Sequence, residues 1–209
     1  MSRGSLIIAC GALARELNWL KSANQWTEVE IRCLDAALHN RPELIPERLS
    51  GLLVHAVDHY DHIFVAYADC GTGGRIDQVL APYGVSRLPG AHCYEFYAGS
   101  ERFQALADDE PGTFYLTDFL VRHFDRLVVG DLKLDEHPEL EVMLFGAYQR
   151  MVYLAQTDNP ELVALALGAA DRLSLPLEVV QTTLTGLASP IDVQVLQWRE
   201  TDKDATCNA

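Results

Sequence analysis

The chain reads as an α/β protein: a three-layer Rossmann-like sandwich, with a mostly parallel sheet and helices on both faces. Three observations predict this. Short apolar runs alternate along the chain with stretches whose apolar residues recur at three-to-four spacing. One run, Ile63-Phe64-Val65-Ala66, is apolar without alternation, as in a strand buried on both faces. No connection is long or polar enough to divide the chain, so residues 1–190 read as a single α/β domain and 191–209 as a polar C-terminal tail.

Ser5–Ala9 is a short buried strand, and Leu13, Leu17 and Leu20 give the helix that follows its apolar face, to about Ala23. Thr27–Leu34 alternates, with Val29, Ile31 and Cys33 on one side, and reads as a second strand that puts Cys33 in the core. Asp35–Pro42 is a loop, and Pro42 followed by Glu43 suits a helix start. Leu44, Leu49, Leu52, Leu53 and Ala56 carry that helix to near Tyr60. Asp61–Ala68 is the third strand. Cys70-Gly71-Thr72-Gly73-Gly74 is a glycine-rich turn, and Arg75–Tyr83 a short helix that Gly84 stops. Val85–Pro89 is extended and leads into His92-Cys93. Glu95–Asp108 is helical with an interruption at Gly99. Gly112–Leu120 reads as a strand, and Phe119–Phe124 fits strand or helix equally. Glu139–Arg150 is a helix, Met151–Gln156 a strand, Glu161–Leu173 a helix and Leu177–Thr183 the last strand. From Ser189 the composition turns polar, which predicts a disordered or loosely attached end.

With 209 residues and 49% hydrophobic content the chain is long enough to bury a sizeable core. Its net charge of −14 opposes binding to phosphate backbones and anionic lipid, so neither nucleic acid nor a membrane is an expected partner. No apolar run approaches the ~20 residues that span a bilayer, and the short run after Met1-Ser2-Arg3-Gly4 is no secretory leader. A cytoplasmic protein is expected. The five cysteines, at 10, 33, 70, 93 and 207, are odd in number and widely spaced, unlike a disulfide framework.

Three of these cysteines carry the chemical expectation. Cys10 closes the first strand, Cys70 follows the third, and Cys93 follows the extended segment after Gly84. In an open parallel sheet, strand ends on the carboxyl edge border the ligand crevice. Thiolates gathered there would ligate a soft metal, zinc or an iron–sulfur cluster, leaving one position open for a small substrate. Buried, inert thiols are the alternative, because free cysteine is among the most buried residue types. Cys207 looks incidental.

The loop Gly71, Thr72, Gly73, Gly74 with Arg75 lies between strand and helix, a context that suits anion or cofactor binding by backbone amides. It lacks the full dinucleotide fingerprint and the P-loop lysine, so no nucleotide is implied. His92, Glu95 and Glu16 lie near the cysteines in sequence and are the candidate acid–base groups. His55 and His59 share a helix face without the glutamate of a zinc-protease motif and read as surface residues. Asp118 is a lone carboxylate amid apolar residues, expected to be a cap or a satisfied partner.

Four segments together resemble a bacterial and archaeal family of proteins of unknown function. They are Ala9-Cys10-Gly11, Tyr67-Ala68-Asp69-Cys70-Gly71-Thr72-Gly73, His92-Cys93-Tyr94-Glu95-Phe96-Tyr97-Ala98-Gly99 and Phe114-Tyr115-Leu116-Thr117-Asp118, and the resemblance runs from about Leu6 to Leu187. Members of that family are often encoded beside corrinoid-dependent methyltransferases for methylated amines and betaines. The resemblance implies a role near that chemistry without giving a reaction, and carries the thiols to Cys10, Cys70 and Cys93; the substrate expected for them is a small molecule, a methylated amine or a sulfur compound. The expected function is therefore a metal- or [4Fe–4S]-binding enzyme. The alternative is a non-catalytic accessory protein that binds a cofactor, a substrate or corrinoid methyltransferase components.

Overall fold

The structure, a computed structural model, describes the backbone of residues 3–207 and the side chains of 3–204. Cys207 thus has no described side chain. The chain forms two compact units, Met1–Cys93 with Leu187–Ala209, and Tyr94–Gly186. Each has its own sheet, and every strand pair in both is parallel.

The first unit runs β1 (Ser5–Cys10), α1 (Ala14–Ala23), β2 (Val29–Leu34), α2 (Ile45–Ala56), β3 (His62–Ala66), α3 (Arg75–Leu80) and β4 (Ser86–Arg87). The sheet order is β2-β1-β3-β4. In register, Ala9 of β1 faces Cys33 of β2 on one side and Ala66 of β3 on the other. All six β1 residues are buried, which is why this segment is almost purely apolar. Helix α2 meets the core through Ile45, Leu49, Leu53 and Ala56, at spacings of three and four along one face.

The order 2-1-3-4 has a physical consequence. The chain leaves β1 toward one edge to make β2, then crosses to the other side of β1 to make β3. The crossovers diverge between β1 and β3, opening a crevice beyond their carboxyl ends. Cys10 ends β1, and Cys70 stands four residues beyond β3.

The second unit runs α4 (Glu95–Ala98), α5 (Ser100–Asp109), β5 (Thr113–Thr117), α6 (Asp118–Arg122), α7 (Pro138–Phe145), β6 (Arg150–Ala155), α8 (Pro160–Arg172) and β7 (Leu177–Gln181), with sheet order β5-β6-β7. Its core gathers Leu116, Met151, Tyr153, Leu162, Ala166 and Phe145, among others. The segment after Thr117 is helical, since the Thr117 hydroxyl accepts from Leu120 N–H and caps α6. A wider helical turn, Asp125–Gly130, follows it.

The C-terminal stretch departs from the expected loose tail. Thr185–Cys207 is one helix, α9. Leu187, Ile191, Val195 and Trp198 recur at four, four and three residues and are all buried. Trp198 stacks on His62 at 5.4 Å, Arg199 pairs with Glu28 at 2.5 Å, and Asp202 meets His62 Nε2 at 2.9 Å. A polar average had concealed an apolar stripe. Cys33 is a second difference: it is exposed rather than in the core. Its strand is the sheet's edge, paired only with β1, and the side shared by Val29, Ile31 and Cys33 runs from buried to exposed along it. Among the described residues no helix is long and apolar enough to cross a membrane.

A candidate thiol site at the carboxyl edge

Cys10 sits where β1 becomes a short turn of helix, Gly11–Leu13. Its Sγ accepts the Ala12 N–H at 3.3 Å, so the thiol caps that turn. Gly11 is needed next. A Cβ there would stand 2.8 Å from the Leu34 carbonyl oxygen and 3.1 Å from the Ala36 nitrogen. This close approach brings the end of β2 alongside Cys10, together with the tight turn Ala36–Asn40 that Asp35 caps. That turn carries His39, whose Nδ1 lies 3.0 Å from the Ala36 carbonyl and 3.6 Å from Cys10 Sγ. A carbonyl only accepts, so Nδ1 donates to it.

Cys70 and Cys93 come together by a different route. Asp69 N–H donates to Gly90 O at 3.1 Å and Cys70 N–H to Ala91 O at 2.8 Å, zipping the two loops together. The two sulfurs are then 3.1 Å apart. Cys70 has φ +49, in the left-handed region that a residue with a Cβ seldom adopts. Gly71, Gly73 and Gly74 follow it with φ +79, +63 and +79, a backbone path that only glycine takes without strain.

The protonation of these thiols is uneven. Burial pushes Cys10 up to about 12, against the pull of the Ala12 N–H. The hydrogen bond from Cys93 draws Cys70 down to about 7, against its own burial and with help from His39. Cys93 is held well above the ordinary thiol value, by the same hydrogen bond and then by burial. Of the two, Cys70 is therefore the thiol that ionises first. Tyr67, just past β3, is 1% exposed, and its hydroxyl lies against the Cys10 thiol without a hydrogen bond of good geometry. Burial raises that phenol, the charge of Cys10 and the contact with its thiol raise it further, and the charges of Cys93 and Cys70 add to this. All three thiols and Tyr67 are therefore electrostatic neighbours. Among the described residues, no three His, Cys, Asp or Glu side chains are grouped closely enough to hold a metal ion as they stand.

The other anticipated residues are placed as follows. In the glycine loop, Asp69 fills the place of an external anion: its carboxylate accepts from the Thr72 hydroxyl (2.9 Å), Gly73 N–H (2.9 Å) and Gly74 N–H (2.7 Å). Arg75 Nε donates to the Thr72 carbonyl. Glu16 is buried in the first turn of α1, and His92 is exposed. Glu95 belongs to α4 of the second unit. There, Asp118 is 2% exposed and fully engaged, accepting from Tyr153 Oη (2.7 Å), Gln156 N–H (2.9 Å) and Thr157 Oγ1 (2.5 Å). It is a structural partner, in line with its sequence context.

His39 is the neighbour of the thiols that sequence reasoning passed over. The available signal was its place five residues past the end of β2, on the same sheet edge as Cys10.

A family model described as "Protein of unknown function (DUF1638)" matches residues 33–190. Cys70, Cys93 and His39 lie inside that stretch, and Cys10 and Glu16 precede it. No curated protein and no solved structure matches the chain.

Proposed function

Since the chain belongs to the DUF1638 family, whose description names no reaction, we propose from the thiol site itself that this is a metal-binding enzyme. Cys10, Cys70 and Cys93 would take up a thiophilic ion at the crevice between β1 and β3, with His39 Nε2 as a fourth donor or a base beside it. One observation carries the proposal: three thiols, one at the end of β1 and two on the loops past β3 and β4, are electrostatic neighbours of one another and of the buried Tyr67.

Of the two expected groups, a mononuclear ion needs the smaller change. Two sulfurs on a tetrahedral zinc at about 2.3 Å are roughly 3.8 Å apart, so the pair would open by well under 1 Å. An iron–sulfur cluster would spread them further. The bound ion would act as a Lewis acid on a small molecule in its open position. The net charge of −14 disfavours nucleic acid as that partner. Thiolate ligands need a reducing compartment, so the proposal is of a cytoplasmic protein.

The test is metal analysis and zinc titration of anaerobically purified full-length protein, beside a visible spectrum. A colourless protein with near-stoichiometric zinc that Cys10→Ser weakens by at least tenfold supports the proposal. Brown protein with stoichiometric iron and sulfide replaces zinc by a cluster. A protein that takes up neither sinks it.

A further inference from the structure

Beyond metal binding, we infer that Cys70 and Cys93 form a thiol–disulfide exchange centre for small-molecule disulfides, with Cys70 attacking and Cys93 resolving. The two residues sit on different loops, and the Cys70-to-Ala91 and Asp69-to-Gly90 hydrogen bonds hold those loops in register. The sulfurs are 3.1 Å apart, so closing to the roughly 2.05 Å of a disulfide moves each by about 0.5 Å. Metal binding asks the same pair to spread. From the 3.1 Å of the structure the two fates thus pull the sulfurs in opposite directions.

Accessibility sets the order of events. Cys70 is partly exposed, whereas Cys93 is 9% exposed behind it. The left-handed backbone at Cys70 is the kind of local strain that persists where a side chain must be aimed. Cys10 is not a competitor for the pair, being 1% exposed and engaged by Ala12 N–H and His39.

The chemistry balances with the disulfide as the sole co-reactant. The Cys70 thiolate attacks one sulfur of R–S–S–R, the S–S bond breaks, and one half leaves as a thiolate. Cys93 then gives up its proton to that leaving thiolate and attacks Cys70 Sγ. The Cys70–R bond breaks, the Cys70–Cys93 disulfide forms, and the second half departs and takes a proton from water. The protein dithiol is oxidised and one disulfide is reduced to two thiols. A dithiol reductant runs the sequence backwards. Closure also withdraws two of the three thiolates from a metal, a consequence that rests on the proposed function.

The test uses full-length, metal-free, reduced protein carrying Cys33→Ser and Cys207→Ser, exposed to oxidised glutathione and mapped by peptide mass spectrometry. The expected product is a single Cys70–Cys93 disulfide with both halves of the glutathione released. Cys93→Ser in that background should stop at glutathione on Cys70, with only one half released. Glutathione retained on Cys70 while Cys93 is present, a bond from either residue to Cys10, or no reaction overturns the inference. No metal enters this measurement, so its failure leaves the zinc titration free to succeed, and the reverse.

Discussion

The close approach at Gly11 gives the sharpest test of how the fold builds the site. A methyl added there would meet two backbone atoms, Leu34 O at 2.8 Å and Ala36 N at 3.1 Å, and neither can rotate away. Gly11→Ala must therefore push the end of β2 and the Ala36–Asn40 turn outward. Overpacking of this kind costs about 2 kcal/mol, which for a chain of this length lowers Tm by about 4–8 °C. The same movement carries His39 off Cys10, because His39 is anchored through the Ala36 carbonyl. Cys10 alkylation in native protein should then rise severalfold. Gly51→Ala is the matched control. It lies inside α2 with nothing within 4 Å of the added methyl. It should gain about 1 kcal/mol of helix propensity and raise Tm by about 2–4 °C. Thermal melts and thiol mapping read both variants. If Gly11→Ala melts at or above the parent temperature with Cys10 still protected, the packing argument is wrong.

Three further outcomes are expected. Asp118→Ala deprives the fully buried Tyr153 hydroxyl of its acceptor and removes two other hydrogen bonds. It should cost about 3–5 kcal/mol by denaturant titration, with Asp118→Asn losing less than half of that; an Ala variant within 1 kcal/mol of the parent (about one net hydrogen bond) contradicts the network. Tyr67→Phe removes a buried hydroxyl whose one neighbour is the weak Cys10 thiol, so the metal-free protein should lose no more than about 1 kcal/mol by denaturant titration; a loss of about 3 kcal/mol would show a strong partner for that hydroxyl. The Arg199 guanidinium holds Glu28 below its ordinary range. A lowered carboxylate stabilises the fold above the unfolded value of about 4.3 and ceases to as pH falls through the folded value. Stability should thus decline on acidification in that window. Arg199→Gln should flatten this part of the profile, weakly, because both side chains are 37% exposed; an unchanged profile refutes the role of the pair.

Local patterning decided more of the fold than of the site. Apolar runs at Ser5–Ala9 and Ile63–Ala66 suffice to announce strands buried on both faces, because a residue with no polar side to its strand has nowhere wet to point. Helix α2 is legible for the same reason at a different period. The stripe Leu187, Ile191, Val195 and Trp198 was equally present in the residues, but averaging over a polar segment hides a moment that only a helix projects. Cys33 shows the converse. Alternation tells that one face differs from the other, and it takes the strand order to tell that β2 is an edge.

Chain order alone put Cys10 at the end of β1 and Cys70 and Cys93 beyond β3 and β4, since parallel strands all finish on one edge. It was silent on which strands would share a sheet, and so on the division into sheets of four and three. Nor could it reveal that the chain returns Cys93, 23 positions on, to 3.1 Å from Cys70, or that His39 would face Cys10 across the gap Gly11 leaves open. Those contacts depend on hydrogen bonds between loops and on the absence of a single methyl group. Such long-range terms have no period and leave no local trace, so they exist only once the chain has folded.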